Sequence, residues 1–209
     1  MVYRITLIAV AVLLTACSDP KAANEKNFKI AIQKRLDQAY PTCYINANFP
    51  ATLSEHDPYR NKSAFKALAA AGLLSEKEES KEVKEWGRTR TVVGSVFNLT
   101  EEGKKFYQPD AIKNNGLGEA VGGFCFGKAT VKEITEFTEP ADAMGARASQ
   151  VSYTYEVSEL PAWAKLPETI AAITKLKPDV ASDKMPIKSR DVLVLTNNGW
   201  KSQLGGMLR

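Results

Sequence analysis

Apolar residues recur at helical spacing close to the start of the chain. Between positions 27 and 39 the apolar residues at that spacing are Phe28, Ile32, Leu36 and Ala39. Residues three or four apart lie on one face of a helix, so the pattern predicts a helix over residues 27–39, which the Tyr40-Pro41 pair ends. A second helix is predicted from Ser63 to Ala71, with Ser63 as its N-cap and Gly72 as its C-cap.

Strand patterns dominate the second half of the chain. Residues 150–157 alternate strictly between apolar and polar, which predicts a strand with one apolar face. That face consists of Val151, Tyr153, Tyr155 and Val157. Two further strands are predicted over residues 126–137 and 191–196, and Asn197-Asn198-Gly199 predicts a tight hairpin turn. Residues 167–176 predict a helix, because proline at position 167 is favoured in the first turn.

The middle of the chain combines charge with short apolar runs. Residues 75–85 alternate lysines and glutamates, which is typical of a solvated loop or of one flank of a hairpin, and residues 92–97 predict a strand. Glycine and asparagine in residues 114–118 mark a boundary. We therefore expect an α+β protein with an N-terminal half over residues 27–113. An antiparallel sheet with one packed helix is expected over residues 119–209.

Two motifs in the N-terminal half resemble the rear of a winged-helix domain. They are Phe65-Lys66-Ala67-Leu68 with Ala71-Gly72-Leu73-Leu74, and Val96-Phe97-Asn98-Leu99-Thr100-Glu101-Glu102-Gly103. In that family the first motif ends the third helix, a hairpin forms the wing, and the second motif opens the closing helix. The resemblance covers residues 63–107 and implies a winged-helix-like α/β-hairpin half. It does not imply DNA binding, because the helix at the recognition position carries Lys66 as its only basic residue.

Residues 1–16 carry the pattern of a secretory signal peptide. Arg4 precedes an apolar run from Ile5 to Leu14. This run is too short to cross a bilayer, which needs about 20 apolar residues. We expect residues 1–16 to be removed and residues 17–26 to form a short tether.

Leu14-Thr15-Ala16-Cys17 resembles the lipobox of bacterial lipoproteins. The resemblance implies that Cys17 becomes the first mature residue and carries palmitate and other acyl chains, which hold the protein on a membrane. Ser18 in place of an aspartate favours the outer membrane over the inner one, with the protein facing the periplasm. The alternative is an ordinary signal peptide whose Cys17 is a free or bridged thiol.

The charge balance of the chain is weak and mixed. It has 28 basic and 24 acidic residues, a formal net charge of +4. Such a balance does not indicate nucleic acid as a partner, and export would separate the protein from DNA.

Two cysteines remain once Cys17 is assigned to lipid. In an oxidising periplasm, Cys43 and Cys125 are expected to form a disulfide that closes a loop of about 80 residues. Two buried thiols or a metal pair are the alternatives. A metal pair would lack further ligands, because His56 is the only histidine and no Cys-x-x-Cys motif is present. We therefore expect neither a metal nor a cofactor.

Few residues indicate catalysis. His56 stands beside Asp57 in a segment with the composition of a turn, and Glu101 and Glu102 are acids of the kind expected in the first turn of a helix. Core packing is expected for Tyr153, Tyr155 and Trp200. The exception is Trp163, which with Pro161 is expected on a displayed loop as a candidate partner contact.

These patterns together predict a non-catalytic, lipid-anchored envelope protein. Its expected role is that of a binding or accessory module for another envelope protein, in assembly, inhibition or immunity. The alternative is a periplasmic hydrolase that acts on cell-wall material through carboxylates.

Overall fold

The computed structural model describes residues 19–54, 62–85, 87–112, 120–143 and 145–203, which form a mixed α+β fold as expected. The helices are α1 (Glu25–Ala39), α2 (Lys62–Ala70), α3 (Glu101–Lys104), α4 (Pro167–Ala172) and α5 (Leu176–Ala181), with a 3₁₀ helix at Ala162–Lys165. The strands are β1 (Thr42–Asn46), β2 (Ala51–Ser54), β3 (Leu74–Glu85), β4 (Arg88–Leu99), β5 (Tyr107–Ile112), β6 (Val121–Phe126), β7 (Lys128–Phe137), β8 (Ala141–Ala143), β9 (Ala146–Ser158), β10 (Ile187–Thr196) and β11 (Gly199–Ser202).

The largest sheet is antiparallel, and helix α1 packs across one of its faces. Its strand order is β11-β10-β9-β7, with β8 paired to the first residues of β9. Phe28 of α1 is fully buried in a core cluster with residues of these strands. The Gln33 side chain donates to the Ala129 carbonyl and accepts from the Val131 amide, both at 2.9 Å. The helix packed on this sheet therefore comes from the N-terminal part of the chain.

Two smaller antiparallel sheets, with orders β1-β6-β5 and β2-β4-β3, form the rest of the β-structure. They share a second core cluster with α2 and the segment 163–176. Leu53, Leu68, Phe97 and Phe124 are fully buried in it. This second cluster surrounds the candidate site described below.

Both core clusters combine residues from before and after positions 113–119. Helix α1 packs on strands of the C-terminal sheet, and β6 lies between β1 and β5. The division into an N-terminal and a C-terminal half stays a prediction about domains, whereas the hydrophobic core is shared between them.

For two predicted segments, the structure either corrects the prediction or decides between its alternatives. The helix predicted over residues 167–176 is interrupted, because Ile173 leaves the helical backbone (φ −118°, ψ 79°) and is buried. Helix α5 begins three residues later, so both Ile173 and Leu176 reach the core. The charged residues 75–85 belong to β3, which pairs with β4 along its whole length, so the hairpin alternative is the correct one.

The two motifs that carry the winged-helix resemblance touch each other. The Thr100 hydroxyl donates to the Gly72 carbonyl (2.7 Å) and accepts from the Gly103 amide (3.0 Å). A Cβ on Gly103 would lie 2.0 Å from the Leu73 carbonyl oxygen, so only glycine fits at this helix start. These contacts join the end of α2 to α3, and membership of the winged-helix family stays a prediction.

The residues that precede α1 are bound to the body of the protein. The Trp200 indole nitrogen lies 3.2 Å from the carbonyl oxygens of Lys21 and Ala22, to which it donates. The Asn27 side-chain amide donates to the carbonyls of Asp19 and Ala22 at 2.8 Å. The segment predicted as a tether is therefore held against the body from Asp19 onward.

Cys17 and the predicted signal peptide lie outside the described residues. None of the helices in the described part of the chain has both the length and the apolar character that a membrane crossing requires.

Candidate functional site

A groove of about 570 Å³ opens between β1, β2, α2 and the turn that joins α4 to α5. Its apolar lining consists of Tyr44, Ile45, Ala47, Pro50, Ala51, Ala64, Phe65, Val121, Ala172 and Ile173. Its polar lining consists of Asn46, Asn48, Thr52, Thr174 and Lys175. The polar residues are all exposed, whereas most of the apolar ones are buried. An apolar floor with a few polar groups at the rim is the usual composition of a ligand site.

Hydrogen bonds to β6 fix the connection between β1 and β2, which forms one wall of the groove. The Asn48 side-chain oxygen accepts from the Gly122 amide (2.8 Å), and its NH₂ group donates to the Ala120 carbonyl (3.2 Å). The Ala47 amide donates to the Gly122 carbonyl at 2.9 Å. Backbone groups that would otherwise be unpaired are satisfied here, so the wall is set before any ligand arrives.

Tyr107 supports the same wall from behind. Its hydroxyl donates to the Ala47 carbonyl at 3.0 Å. A Cβ on Gly122 would lie 1.9 Å from that hydroxyl oxygen, so glycine leaves the space that the ring occupies. Burial, together with the nearby Asp110 carboxylate, raises the pKa of Tyr107. The hydroxyl therefore keeps its proton and remains a donor to the wall.

Aromatic contacts hold the groove floor. Phe65 of α2 lies with its ring centroid 5.3 Å from that of Phe97 and 5.5 Å from that of Phe49. Tyr44 stacks on Phe126 at 4.5 Å with an interplanar angle of 21°. Such ring pairs stabilise a core beyond their buried area, which makes the floor rigid.

Tyr44 also connects the groove to a buried carboxylate. Its hydroxyl donates to Asp179 Oδ2 at 2.5 Å, and the Tyr40 hydroxyl lies 3.4 Å from Oδ1. Asp179 belongs to α5 and is 2% exposed. Because a buried carboxylate needs such donors, this contact fixes α5 against β1 beneath the groove.

The chemistry of the lining suits binding. Lys175 is the only described lining residue with a charged side chain, and amides, hydroxyls and a phenol supply the other polar contacts. Such a set buries apolar ligand groups and orients them by hydrogen bonds at the rim. Among the described residues that line the groove, none has a carboxylate or an imidazole that could act as a general base for a hydrolytic step.

The predicted disulfide is confirmed. Cys43 of β1 and Cys125 of β6 are directly opposite each other in the sheet, with Cα atoms 4.0 Å apart and an S–S bond of 2.05 Å. The bond joins the strand that begins the groove wall to the strand that supports it.

The prediction that Trp163 is displayed on a loop is wrong. The residue is 8% exposed, and its ring centroid lies 4.9 Å from that of Phe126 and 5.6 Å from that of Phe106. The 3₁₀ helix that starts after Pro161 turns the indole into the core, where a large aromatic surface is removed from water. The core packing expected for Tyr153, Tyr155 and Trp200 is confirmed, since each is at most 8% exposed.

Two of the candidate catalytic residues, Glu101 and Glu102, are not among the described residues that line the groove. His56 lies outside the described residues. Glu101 and Glu102 lie in the first turn of α3, where they form ion pairs with Lys104 and Lys105. The hydrogen bond from Lys104, helped by its charge, lowers the pKa of Glu101.

Sequence reasoning missed the groove, because its walls come from segments that are far apart along the chain. Residues 44–48, 50–52, 64–65, 121 and 172–175 line it. The one local signal is Pro50, since proline marks a strand end or a turn. The interruption after Ala172, which brings Ile173 and Thr174 to the groove, follows from tertiary packing.

Across the ranges that the structure describes, no group of three or more His, Cys, Asp and Glu side chains is placed to hold a metal ion. No protein-family model matches the chain, and neither a curated protein nor a solved structure is similar to it.

Proposed function

We propose that this protein is a non-catalytic, lipid-anchored envelope protein that binds another envelope protein through the groove. One observation carries the proposal. The described residues that precede α1 are fixed at its first end, and β1, which lines the groove, begins three residues after its last end. The helix has 15 residues, a length of about 22 Å at 1.5 Å per residue.

The contacts at both ends of α1 support this arrangement. At its start, the residues from Asp19 to Ala22 are bound to Trp200 and Asn27, so Cys17 is within two residues, or about 7 Å, of a fixed point. At its end the chain turns through Tyr40 into β1, whose residues Tyr44–Asn46 line the groove. An acyl chain on Cys17 would therefore hold the groove away from the bilayer and open to the periplasm.

The groove favours a partner that presents apolar side chains from an extended or helical segment. Its floor is apolar and aromatic, and its rim amides and hydroxyls suit the peptide groups of such a segment. The same proposal includes attachment to the outer membrane with the protein facing the periplasm, because Ser18 and not an aspartate follows Cys17.

Palmitate labelling tests the anchor. Wild-type cells should incorporate labelled palmitate into the protein, and Cys17→Ser should abolish the label and leave an uncleaved or mis-cleaved precursor. Continued labelling of Cys17→Ser would contradict the lipid-anchor part of the proposal.

Crosslinking in intact cells tests the groove. Thr52→Arg and Thr174→Arg place a long charged side chain at exposed rim positions, whereas Thr130→Arg places the same side chain on exposed β7. We expect proteins captured by the wild type and by Thr130→Arg to be lost from both rim variants, as measured by mass spectrometry. Equal capture by all three variants would contradict a function that depends on the groove. Turnover of muropeptides by the purified protein would contradict a non-catalytic function.

A further inference from the structure

We propose that a second pocket, between α1 and β11, binds a phosphate group. The pocket has a volume of about 540 Å³. Its ionisable and amide lining residues are Lys34, Arg35, Gln38, Asn198, Lys201 and Gln203. The choice of a membrane headgroup as the source of the phosphate rests on the proposed lipid anchor, whereas the phosphate site itself does not.

The inner part of this pocket is a preformed charged network. Arg35 is 8% exposed, and its Nη1 donates to the Tyr153 hydroxyl at 2.6 Å. Its Nε lies 3.3 Å from Asp191 Oδ2, an oxygen that also accepts from the Ser202 hydroxyl at 2.7 Å. Asp191 is 1% exposed, so its charge is balanced by Arg35 beneath the pocket surface. The guanidinium is thereby held in one orientation at the pocket wall.

Two further cationic side chains give the pocket a net positive charge. Lys34 and Lys201 are both exposed, and neither forms an ion pair with a residue in the described part of the chain. Among the described residues, no aspartate or glutamate lines the pocket. An anion that enters it therefore meets uncompensated positive charge.

The donor set favours phosphate among anions. Two ammonium groups, a guanidinium and three side-chain amides surround the pocket, and a phosphate group has enough acceptor oxygens to use several of them at once. A carboxylate has two oxygens and would leave more of these donors unused.

The position of the pocket points to the membrane. Trp200 lines the pocket and donates to the carbonyls of Lys21 and Ala22. Asn198, another lining residue, lies at the tip of the β10–β11 hairpin. The next residue, Gly199, lies close to Pro20, because a Cβ added to Gly199 would be 2.9 Å from the Pro20 carbonyl oxygen. The pocket thus begins beside the residues that follow Cys17, which is where lipid headgroups would lie if Cys17 is acylated.

Vesicle binding tests the proposal. The protein used is the chain from residue 17 onward with the substitution Cys17→Ser, so that no acyl chain contributes to binding. The probes are vesicles of phosphatidylcholine with or without phosphatidylglycerol, and inorganic phosphate in solution. Lys34→Gln/Lys201→Gln is the pocket variant. Lys177→Gln/Lys188→Gln is the matched control, because it changes the net charge equally at exposed positions outside the pocket.

We expect the wild type and the control to bind vesicles that contain phosphatidylglycerol, and the pocket variant to bind about thirty-fold more weakly. Saturable binding of inorganic phosphate that only the pocket variant loses, without a vesicle preference, would support the site with free phosphate as its ligand. Binding of neither probe, or equal weakening in both variants, would overturn the proposal. A wild-type protein that incorporates no palmitate in cells would contradict the anchor alone and leave this result unaffected.

Discussion

At the scale of single residues, the buried carboxylate of Asp179 links the groove floor to the helix beneath it. Two tyrosine hydroxyls from the α1–β1 region approach its oxygens, and the Asp179 carbonyl accepts from the Ser182 hydroxyl at 2.7 Å. Ser182 in turn accepts from the Val157 amide of β9 at 2.8 Å. This chain of polar contacts joins β1, α5 and the C-terminal sheet.

Tyr44→Phe should lower the free energy of unfolding by about 1–3 kcal/mol, because a buried acceptor loses a donor. Urea denaturation of the wild type and the variant measures the change. In a double-mutant cycle with Asp179→Asn, the effect of Tyr44→Phe should become smaller, since the neutral amide depends less on that donor. The same loss in both backgrounds would show that the hydroxyl does not act through Asp179.

Single residues also show the limit of sequence reasoning. The Cys43–Cys125 pairing was predictable, because assigning Cys17 to lipid left two cysteines for an oxidising compartment. Asp179 gave no such signal, since a carboxylate in a helix of mixed polarity is expected at the surface. Its burial depends on tyrosines that lie more than 130 residues away in sequence.

At the scale of elements, the outer part of the β3–β4 hairpin lies beyond the described pairing with β2. Within the described residues, the pairing of β2 with β4 reaches Ser54 opposite Gly94, and β3 and β4 continue together to Glu85 opposite Arg88. In the outer part, the described side chains of Ser80, Glu82, Thr89, Thr91 and Val93 are exposed. The alternating charges predicted this exposure, but the regular pairing depends on β4 and could not be derived from residues 75–85 alone.

Replacing residues 81–92 with Asn-Gly, so that a two-residue turn joins Ser80 to Val93, should leave the core intact. We expect the free energy of unfolding to change by less than about 1 kcal/mol, because solvent-exposed positions contribute little. Phe97→Ala, in the buried inner part of the same hairpin, should instead lower it by about 3–5 kcal/mol. Unfolding of the shortened protein under native conditions would show that the outer hairpin has a packing role.

At the scale of the whole molecule, α1 makes the two ends of the chain interdependent. Phe28 packs with its ring centroid 5.0 Å from that of Phe137 and 4.9 Å from that of Trp200. The α+β class and the existence of most elements were predictable from local periodicity. The placement of α1 on a sheet formed by residues far downstream was not, because amphipathicity shows which face of a helix is buried without showing what covers it.

Residues 119–209, expressed alone, should not fold into a stable domain. This fragment contains the C-terminal sheet but lacks α1, which covers its apolar face, and it lacks β1 and β5, which flank β6 on both sides. It should therefore expose core residues such as Tyr153 and Leu193, bind a hydrophobic dye and show no cooperative unfolding. The full chain should unfold in one transition that coincides by circular dichroism and tryptophan fluorescence.

Adding a peptide of residues 19–40 should reduce dye binding by the fragment, whereas the same peptide with Phe28→Ala and Ile32→Ala should not. A fragment that unfolds cooperatively without the peptide would show that residues 119–209 form an independent domain, and that the shared core is not required for their stability.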